Sequence, residues 1–176
     1  TLELPNLNKL GCWGIYGNDA ITEFEIPASV TDIYGHPFFS GFDYEDNPYD
    51  NPNLTSITVA SGNKTFKIIN NQLFNISDGK VLVTDLFGYN SESIIVPSDV
   101  TAIGPNAFNE FHMTSITIPA SVKSIGEDAL YYCDGLNTVH YGGTMAQAKA
   151  LFKGVRFSYP PEFICTDGEI TYNDIQ

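Results

Sequence analysis

The chain has 176 residues, of which 43% are apolar, so it is long enough to bury a single core and too apolar to be disordered. Its 21 acidic and 8 basic residues give a formal net charge of −13, and such a surface repels phosphate backbones and anionic lipid headgroups. No run of about 18 apolar residues occurs that could cross a bilayer. We therefore expect no nucleic acid partner and no membrane insertion.

A short apolar pattern, L-x-x-I-x-I-P, recurs along the chain, and the five letters IPASV stand at both 26–30 and 118–122. The last apolar letter of each copy, its anchor, falls at Leu4, Ile26, Val59, Val96, Ile118 and Tyr141. A second apolar pair follows four and seven residues after the anchors at 26, 96 and 118. A unit of this size cannot bury its own apolar side. We therefore predict a solenoid whose stacked units, about six of them, share one continuous core.

Each I-x-I segment should form a strand whose alternate residues face the core, and the following proline should end the strand because it lacks an N–H. The intervening residues would form two outward rows on the concave side, each about 20 Å long over five strands. We expect this face to be the binding surface, although serine and threonine also suit an exposed sheet without any binding role. The rows are Glu23, Ser56, Ser93, Ser115 and Thr138, and Glu25, Thr58, Ile95, Thr117 and His140.

The unit that begins near Ile26 is longer than its neighbours by an acidic loop, DYEDNPYDNPN, at 43–53. Oxygen-rich loops bind hard cations such as Ca²⁺, but the spacing and the glycine turn of an EF-hand are missing here. A calcium site and a solvated acidic loop are therefore both open, and we expect no other metal and no cofactor. The candidate ligands are Asp43, Glu45, Asp46 and Asp50.

A hairpin insert is predicted at 71–86 in the next unit, because Asp78-Gly79 is a strong two-residue turn signal. Pairing across that turn places Ile76 beside Val81 and Phe74 beside Val83, which gives one apolar face. We expect this hairpin to pack against the coil and to have a structural role.

The last strand of a solenoid exposes unpaired backbone groups, so residues 142–176 are predicted to cap the stack within the same domain. Thr144 and Gln147 form a capping-box pattern for a helix over 145–152. Asp167-Gly168 predicts a hairpin turn that sets Phe163 beside Tyr172 and Cys165 beside Ile170. No comparable cap precedes Leu4, as expected for the last part of a longer array.

The phrases ITIPASVKSIGEDALYYCDGL and IIVPSDVTAIGPNAF resemble the BspA-like leucine-rich repeats of bacterial surface proteins. That consensus runs roughly L-x-x-I-x-I-P-x-x-V-x-x-I-G-x-x-A-F-x-x-C-x-x-L. The resemblance covers residues 1–141, and the tail resembles the segment that closes many such arrays. It implies the leucine-rich-repeat class of α/β folds: a β-rich, right-handed solenoid of about six units at 1–141 with a helix-plus-hairpin cap. Cys133 occupies the cysteine position of the consensus, which implies a buried structural thiol.

Enzyme motifs are missing from the sequence: it contains no G-x-S-x-G, H-E-x-x-H or P-loop pattern, and its three histidines fall in different units. The three cysteines fit no metal spacing, which leaves free thiols or one disulfide. We expect a monomeric, non-enzymatic module. The resemblance implies a place on the cell surface or outside the cell, and adhesion to a protein or glycan through the concave face or the inserted loop. The alternative is a spacer that presents other domains of a longer surface protein.

Overall fold

The computed structural model describes residues 4–12, 14, 15, 17, 18, 20–38, 51, 53–77 and 79–176. Within these residues, short strands follow one another along the chain, with one α-helix, Met145–Leu151 (α1), and one 3-10 turn, Tyr172–Asp174, near the end. The strands are Lys9–Leu10 (β1), Glu23–Ile26 (β2), Asp32–Ile33 (β3), Ser56–Val59 (β4), Phe66–Ile69 (β5), Gln72–Asn75 (β6), Val81–Asp85 (β7), Ser93–Ile95 (β8), Ala102–Ile103 (β9), Ser115–Ile118 (β10), Ser124–Ile125 (β11), Thr138–Tyr141 (β12), Glu162–Cys165 (β13) and Gly168–Thr171 (β14).

The repeats coil into a β-solenoid of about six turns, as the sequence predicts. Strands β2, β4, β8, β10 and β12 come from the L-x-x-I-x-I-P segments and form what we call the first face. Parallel pairing joins β2 to β4 and joins β8, β10 and β12, with equivalent residues of successive units in register. The short strands β1, β3, β9 and β11 form the second face, on the opposite side of the coil. We number the units 1 to 6 by their anchors.

The repeated letters IPASV form a tight turn that leads the chain from the first face towards the second. Their valine N–H donates to the C=O of the proline three residues earlier, at 3.2 Å in unit 2 and 3.1 Å in unit 5. Unit 4 makes the same 3.1 Å bond between Val100 and Pro97. These valines are buried and thus fill the interior at the point where the chain turns. The phrase repeats because each unit needs the same strand end and the same inward residue.

The buried side chains form two hydrophobic cores, so the prediction of one continuous core is wrong. Units 1 to 3 enclose the first core, which includes Phe24, Ile26 and Phe38. Units 4 to 6 and the cap enclose the second core, which includes residues such as Phe108 and Phe163. The insert that follows β4 separates the two cores.

This insert is a three-stranded antiparallel meander, larger than the predicted hairpin at 71–86. Strand β5 joins β6 through Asn70-Asn71, whose φ angles of 49° and 63° are those of a tight hairpin turn. Strand β6 then pairs with β7, and β7 runs parallel to β9 of unit 4. The first hairpin was not predicted, although its adjacent asparagines are a signal for it, because asparagine tolerates positive φ better than most residues.

The predicted register of the second hairpin is also wrong. Phe74 lies opposite Leu82 and Asn75 opposite Val81, because a β-bulge between Leu73 and Phe74 shifts the pairing by one residue. The connection between β6 and β7 spans 76–80, of which residue 78 lies outside the described chain. A bulge changes which side chains share a face, and no turn motif in the sequence announces it.

The meander crosses the interior, where it separates the two cores, instead of packing against the outside of the coil. On strands β6 and β7, Phe74 and Leu82 belong to the second core, whereas Leu73 and Val83 belong to the first. We call the β5–β7 meander the partition. One end of β7 pairs with β9 on the second face. At the other end of β7, Gln72 of the neighbouring strand β6 reaches the first face. Its Nε2 donates to the backbone oxygen of Ile95 at 3.1 Å.

Units 2 and 4 meet directly at the end of the coil where the meander has replaced the usual turn of unit 3. A Cβ built on Gly35 would lie 3.2 Å from the Asn106 Cβ and would clash with the Cys12 Sγ. Gly35 also has a φ of 68°, so both backbone conformation and space favour glycine there. The His36 ring lies 6.1 Å from that of Phe111, between ring centroids. The stack is therefore closed at this end, while β4 and β8 remain unpaired with each other.

The C-terminal segment covers the last strand of the solenoid. Helix α1 begins with the predicted capping box, in which the Gln147 N–H donates to the Thr144 Oγ1 at 3.3 Å and the Thr144 N–H donates to the Gln147 Oε1 at 2.8 Å. Strand β13 pairs in parallel with β12, and β14 closes the sheet. In the described residues no helix is both long and apolar enough to cross a bilayer.

The register predicted for the cap hairpin is wrong by two residues. Phe163 lies opposite Ile170, and Cys165 lies opposite Gly168, so Thr166 and Asp167 form the turn. A tertiary contact favours this choice, because the Asp167 Oδ1 accepts a bond from the backbone N–H of Met145 at 2.7 Å. The turn is therefore held by the start of α1, which the local sequence of the hairpin does not reveal.

The Leu73→Ala variant should lose about 2–5 kcal/mol of unfolding free energy, because this fully buried side chain packs the partition against the first core. Urea unfolding followed by circular dichroism measures the loss. Ile76→Ala is the matched control in the same insert, where the side chain is 42% exposed, and it should lose under about 1 kcal/mol. Equal losses for the two variants would contradict the role of the partition.

Asp85, at the end of β7, should make stability depend on pH. Burial raises the pKa of its carboxyl, and hydrogen bonds from Gln72, Phe87 and Gly88 only partly oppose the rise. The folded chain therefore keeps this proton to higher pH than the unfolded chain. The corresponding stability is fully present below the ordinary pKa of about 4 and is lost as pH rises through the raised value.

Asp85→Asn should accordingly be more stable than the parent chain at pH 7, and its advantage should shrink as the pH falls towards the ordinary pKa of a carboxyl group. Urea midpoints at several pH values give the comparison. Asp99→Asn is the opposite control, because the hydrogen bond from Lys80 lowers the pKa of Asp99. This variant should be less stable than the parent chain at pH 7. A pH-independent difference for Asp85→Asn would contradict the assignment.

Candidate functional site

The first face carries both predicted rows of side chains. Each of the ten residues lies beside an inward-facing residue on β2, β4, β8, β10 or β12, and none of the ten is buried. Ile95 has the most exposed large apolar side chain of the described chain, at 67%. The rows are Glu23, Ser56, Ser93, Ser115 and Thr138, and Glu25, Thr58, Ile95, Thr117 and His140.

The rows do not run unbroken over five strands, because the first-face sheet is split between units 3 and 4. Parallel pairing places Glu23 beside Ser56 on one side of the split. On the other side, Ser93, Ser115 and Thr138 stand side by side. The cap extends this second part, since Glu162 pairs beside Thr138. The candidate face thus consists of a two-strand part and a longer part that includes the cap strands.

A groove of about 530 Å³ follows the edge of β4 at the split. The meander supplies its opposite wall through Phe66, Lys67, Ile68 and Ile76. Among the described residues, β4 pairs with β2 on one edge and with no strand on the other. We call this feature the β4 groove. The sequence does not predict this groove, because the groove arises from the partition and from no local pattern.

Two asparagines hold the loops beside this region, and the sequence analysis assigned no role to either. Asn63 donates from Nδ2 to the backbone oxygens of Pro27 and Val30 at 2.9 and 3.0 Å, while its Oδ1 accepts the N–H groups of residues 65 and 66. Asn51 is buried and donates from Nδ2 to the backbone oxygens of Ile15 and Phe38. Buried amides of this kind satisfy carbonyl groups that the turns leave unpaired.

The proposed calcium ligands Asp43, Glu45, Asp46 and Asp50 lie outside the described residues. Within the residues that are described, no group of three or more His, Cys, Asp and Glu side chains is arranged to hold a metal ion. The calcium hypothesis for the 43–53 loop therefore stays a prediction.

Two of the three histidines pack against aromatic side chains. The His112 Nε2 lies 2.9 Å from the Tyr89 hydroxyl, and both rings belong to an aromatic group that includes Phe111. His36 packs on the same Phe111 from unit 2, so two of the three histidines are closer than their different units suggest. His140 lies separately, exposed on the first face.

All three cysteines are free thiols. Cys133 is buried, and its thiol donates to the backbone oxygen of Phe108 at 3.0 Å. Burial raises the pKa of this thiol to about 12, so it holds its proton at neutral pH and is a poor nucleophile. This arrangement is that of the buried structural thiol expected at the consensus position.

Comparison with solved structures supports the solenoid fold. A leucine rich cell surface protein from Faecalibacterium prausnitzii A2-165 is 24% identical with a TM-score of 0.53, and a leucine-rich repeat protein from Eubacterium ventriosum is 22% identical with a TM-score of 0.50. The alignments cover 76% of this chain in both cases, but only 32% and 39% of the two neighbours. The chain thus spans well under half the length of either protein.

The family comparison agrees with the repeat seen in the sequence. No curated protein matches the chain. Residues 84–154 match the family described as the BspA type leucine rich repeat region. They contain the anchors of units 4 to 6 and the start of the cap, where the spacing of the repeat is most regular. The resemblance to BspA-like proteins is therefore confirmed over residues 84–154, the part of the chain that matches this family.

Proposed function

We propose that this chain is a non-enzymatic binding module of a bacterial surface or secreted protein, and that it recognises a protein or glycan through its first face. The observation that carries the proposal is the regular row of solvent-accessible side chains on β8, β10 and β12, which begins at the strongly exposed Ile95 of β8. The name of the neighbour from F. prausnitzii, a leucine rich cell surface protein, supports a surface setting.

The geometry of this face suits recognition of an extended partner surface. Neighbouring strands lie about 4.8 Å apart, so Ile95, Thr117 and His140 present one apolar, one hydroxyl and one imidazole group at fixed intervals. Burial of Ile95 in a complex would supply hydrophobic energy of up to about 2–3 kcal/mol. The hydroxyl and imidazole groups would then fix the orientation of the partner by hydrogen bonding.

Binding through this face is tested by screening the labelled chain against matrix proteins and glycans at physiological salt. For a partner found in the screen, Ile95→Asp should weaken binding at least about tenfold, because a charge replaces the most exposed apolar contact of the face. Ser124→Asp is the matched control, since it adds the same charge at an exposed position of the second face. Equal effects of the two variants would contradict the proposed face. A complete lack of binding would favour the spacer alternative.

A further inference from the structure

The split in the first-face sheet leaves one edge of β4 without a strand partner among the described residues. Units 4, 5 and 6 are joined by continuous parallel pairing, and the cap strand β13 continues the same ladder. Between units 3 and 4 the partition separates β4 from β8, and within the described chain no strand pairs with the free edge of β4. The β4 groove lies along this edge.

The free edge of β4 directs backbone hydrogen-bonding groups towards the groove. In the β2–β4 ladder, Ile26 lies opposite Val59, and the Ala60 N–H donates to the Ile26 C=O at 3.0 Å. Alternate residues of a parallel strand bond to opposite neighbours. The N–H and C=O groups of Ile57 and Val59 therefore point away from β2. An extended peptide is the ligand whose own backbone complements such an edge.

The side chains of the groove add a chemical preference. Val59, Ile68 and Ile76 are apolar and only partly buried, so they offer contacts for alternate apolar side chains of a bound strand. Lys67 is the charged residue of the lining, and no carboxylate is among the described residues that line it. The groove is therefore locally basic although the chain as a whole has a net charge of −13, and it favours a carboxylate on the partner.

We infer that the β4 groove binds an extended segment of a partner protein by strand addition, with alternate apolar side chains in the groove and a carboxylate beside Lys67. This inference rests on the proposed binding function and assigns it a second site, distinct from the Ile95 face. Lys67 lies on β5, across the groove from the free edge of β4, so its charge favours an acidic strand over a neutral or basic one.

The test uses an end-blocked, fluorescein-labelled peptide Glu-Ser-Ile-Thr-Ile-Thr-Glu, whose centre copies the strand that pairs with β8 in this fold. Fluorescence anisotropy with the full chain measures its affinity. Lys67→Glu should weaken binding about tenfold, because repulsion replaces an exposed ion pair, and a peptide with lysine at both ends should show the reverse preference. Lys153→Glu is the matched control: it makes the same charge change at an exposed position of the cap, and binding should stay within about twofold.

A second peptide tests the backbone contribution, because proline in place of its central threonine removes an N–H and bars strand pairing. This peptide should bind at least tenfold more weakly, by roughly 1.4 kcal/mol or more. The inference is overturned if the first peptide does not bind at about 1 mM, or if the proline peptide binds equally well. It is also overturned if sedimentation shows a dimer that Lys67→Glu dissociates, because the edge would then belong to a second copy.

The two proposals fail in different ways. The screen could yield a partner whose binding depends on Ile95 but is unaffected by Lys67→Glu and by excess peptide. Such a result would leave the first-face function intact. It would overturn the groove as a site for that partner. Peptide binding that depends on Lys67 would support the groove even if Ile95→Asp left every interaction of the screen unchanged.

Discussion

Strand β7 is buried on both faces, and much of the architecture depends on this fact. A strand of a simple solenoid has one face in the core and one in solvent, whereas Leu82 and Val83 of β7 point into two different cores. The same strand is bonded to β6 on one edge and to β9 on the other. It thus joins the two halves of the chain by backbone pairing while it separates their interiors.

The geometry of the surface follows from that separation. Because the meander occupies the interior of unit 3, unit 2 packs on unit 4 at one end of the coil, where Gly35 approaches Asn106. On the first face, the strands of units 3 and 4 are held apart, and the Gln72 side chain bonds to Ile95 at the edge of β8. The β4 groove is therefore the external counterpart of the internal partition. An element that reads as structural in the sequence decides where the open surface lies.

The repeat itself was predictable because each unit must solve the same local problem. Anchors such as Ile26 and Ile118 must fill the interior, the proline must end the strand, and the valine must turn inwards. Helix α1 was predictable for a similar reason, since its capping box closes within four residues. The registers of the β6–β7 and β13–β14 hairpins were not predictable. A bulge shifts the first of these two registers, and the contact of Asp167 with the helix fixes the second.

The sequence by itself determined the solenoid, its inward columns, the exposed rows of the first face and the capping helix, because these depend on contacts within one unit or between equivalent residues of neighbouring units. Only the tertiary structure decided that the core is divided, that the rows are split and that β4 has a free edge. Those features depend on where a meander of about 20 residues lies in the stack. The position of the meander is set by packing on both of its sides, because Leu73 and Phe74 face different cores. The pattern of side chains in the sequence does not by itself distinguish a hairpin on the coil from one inside it.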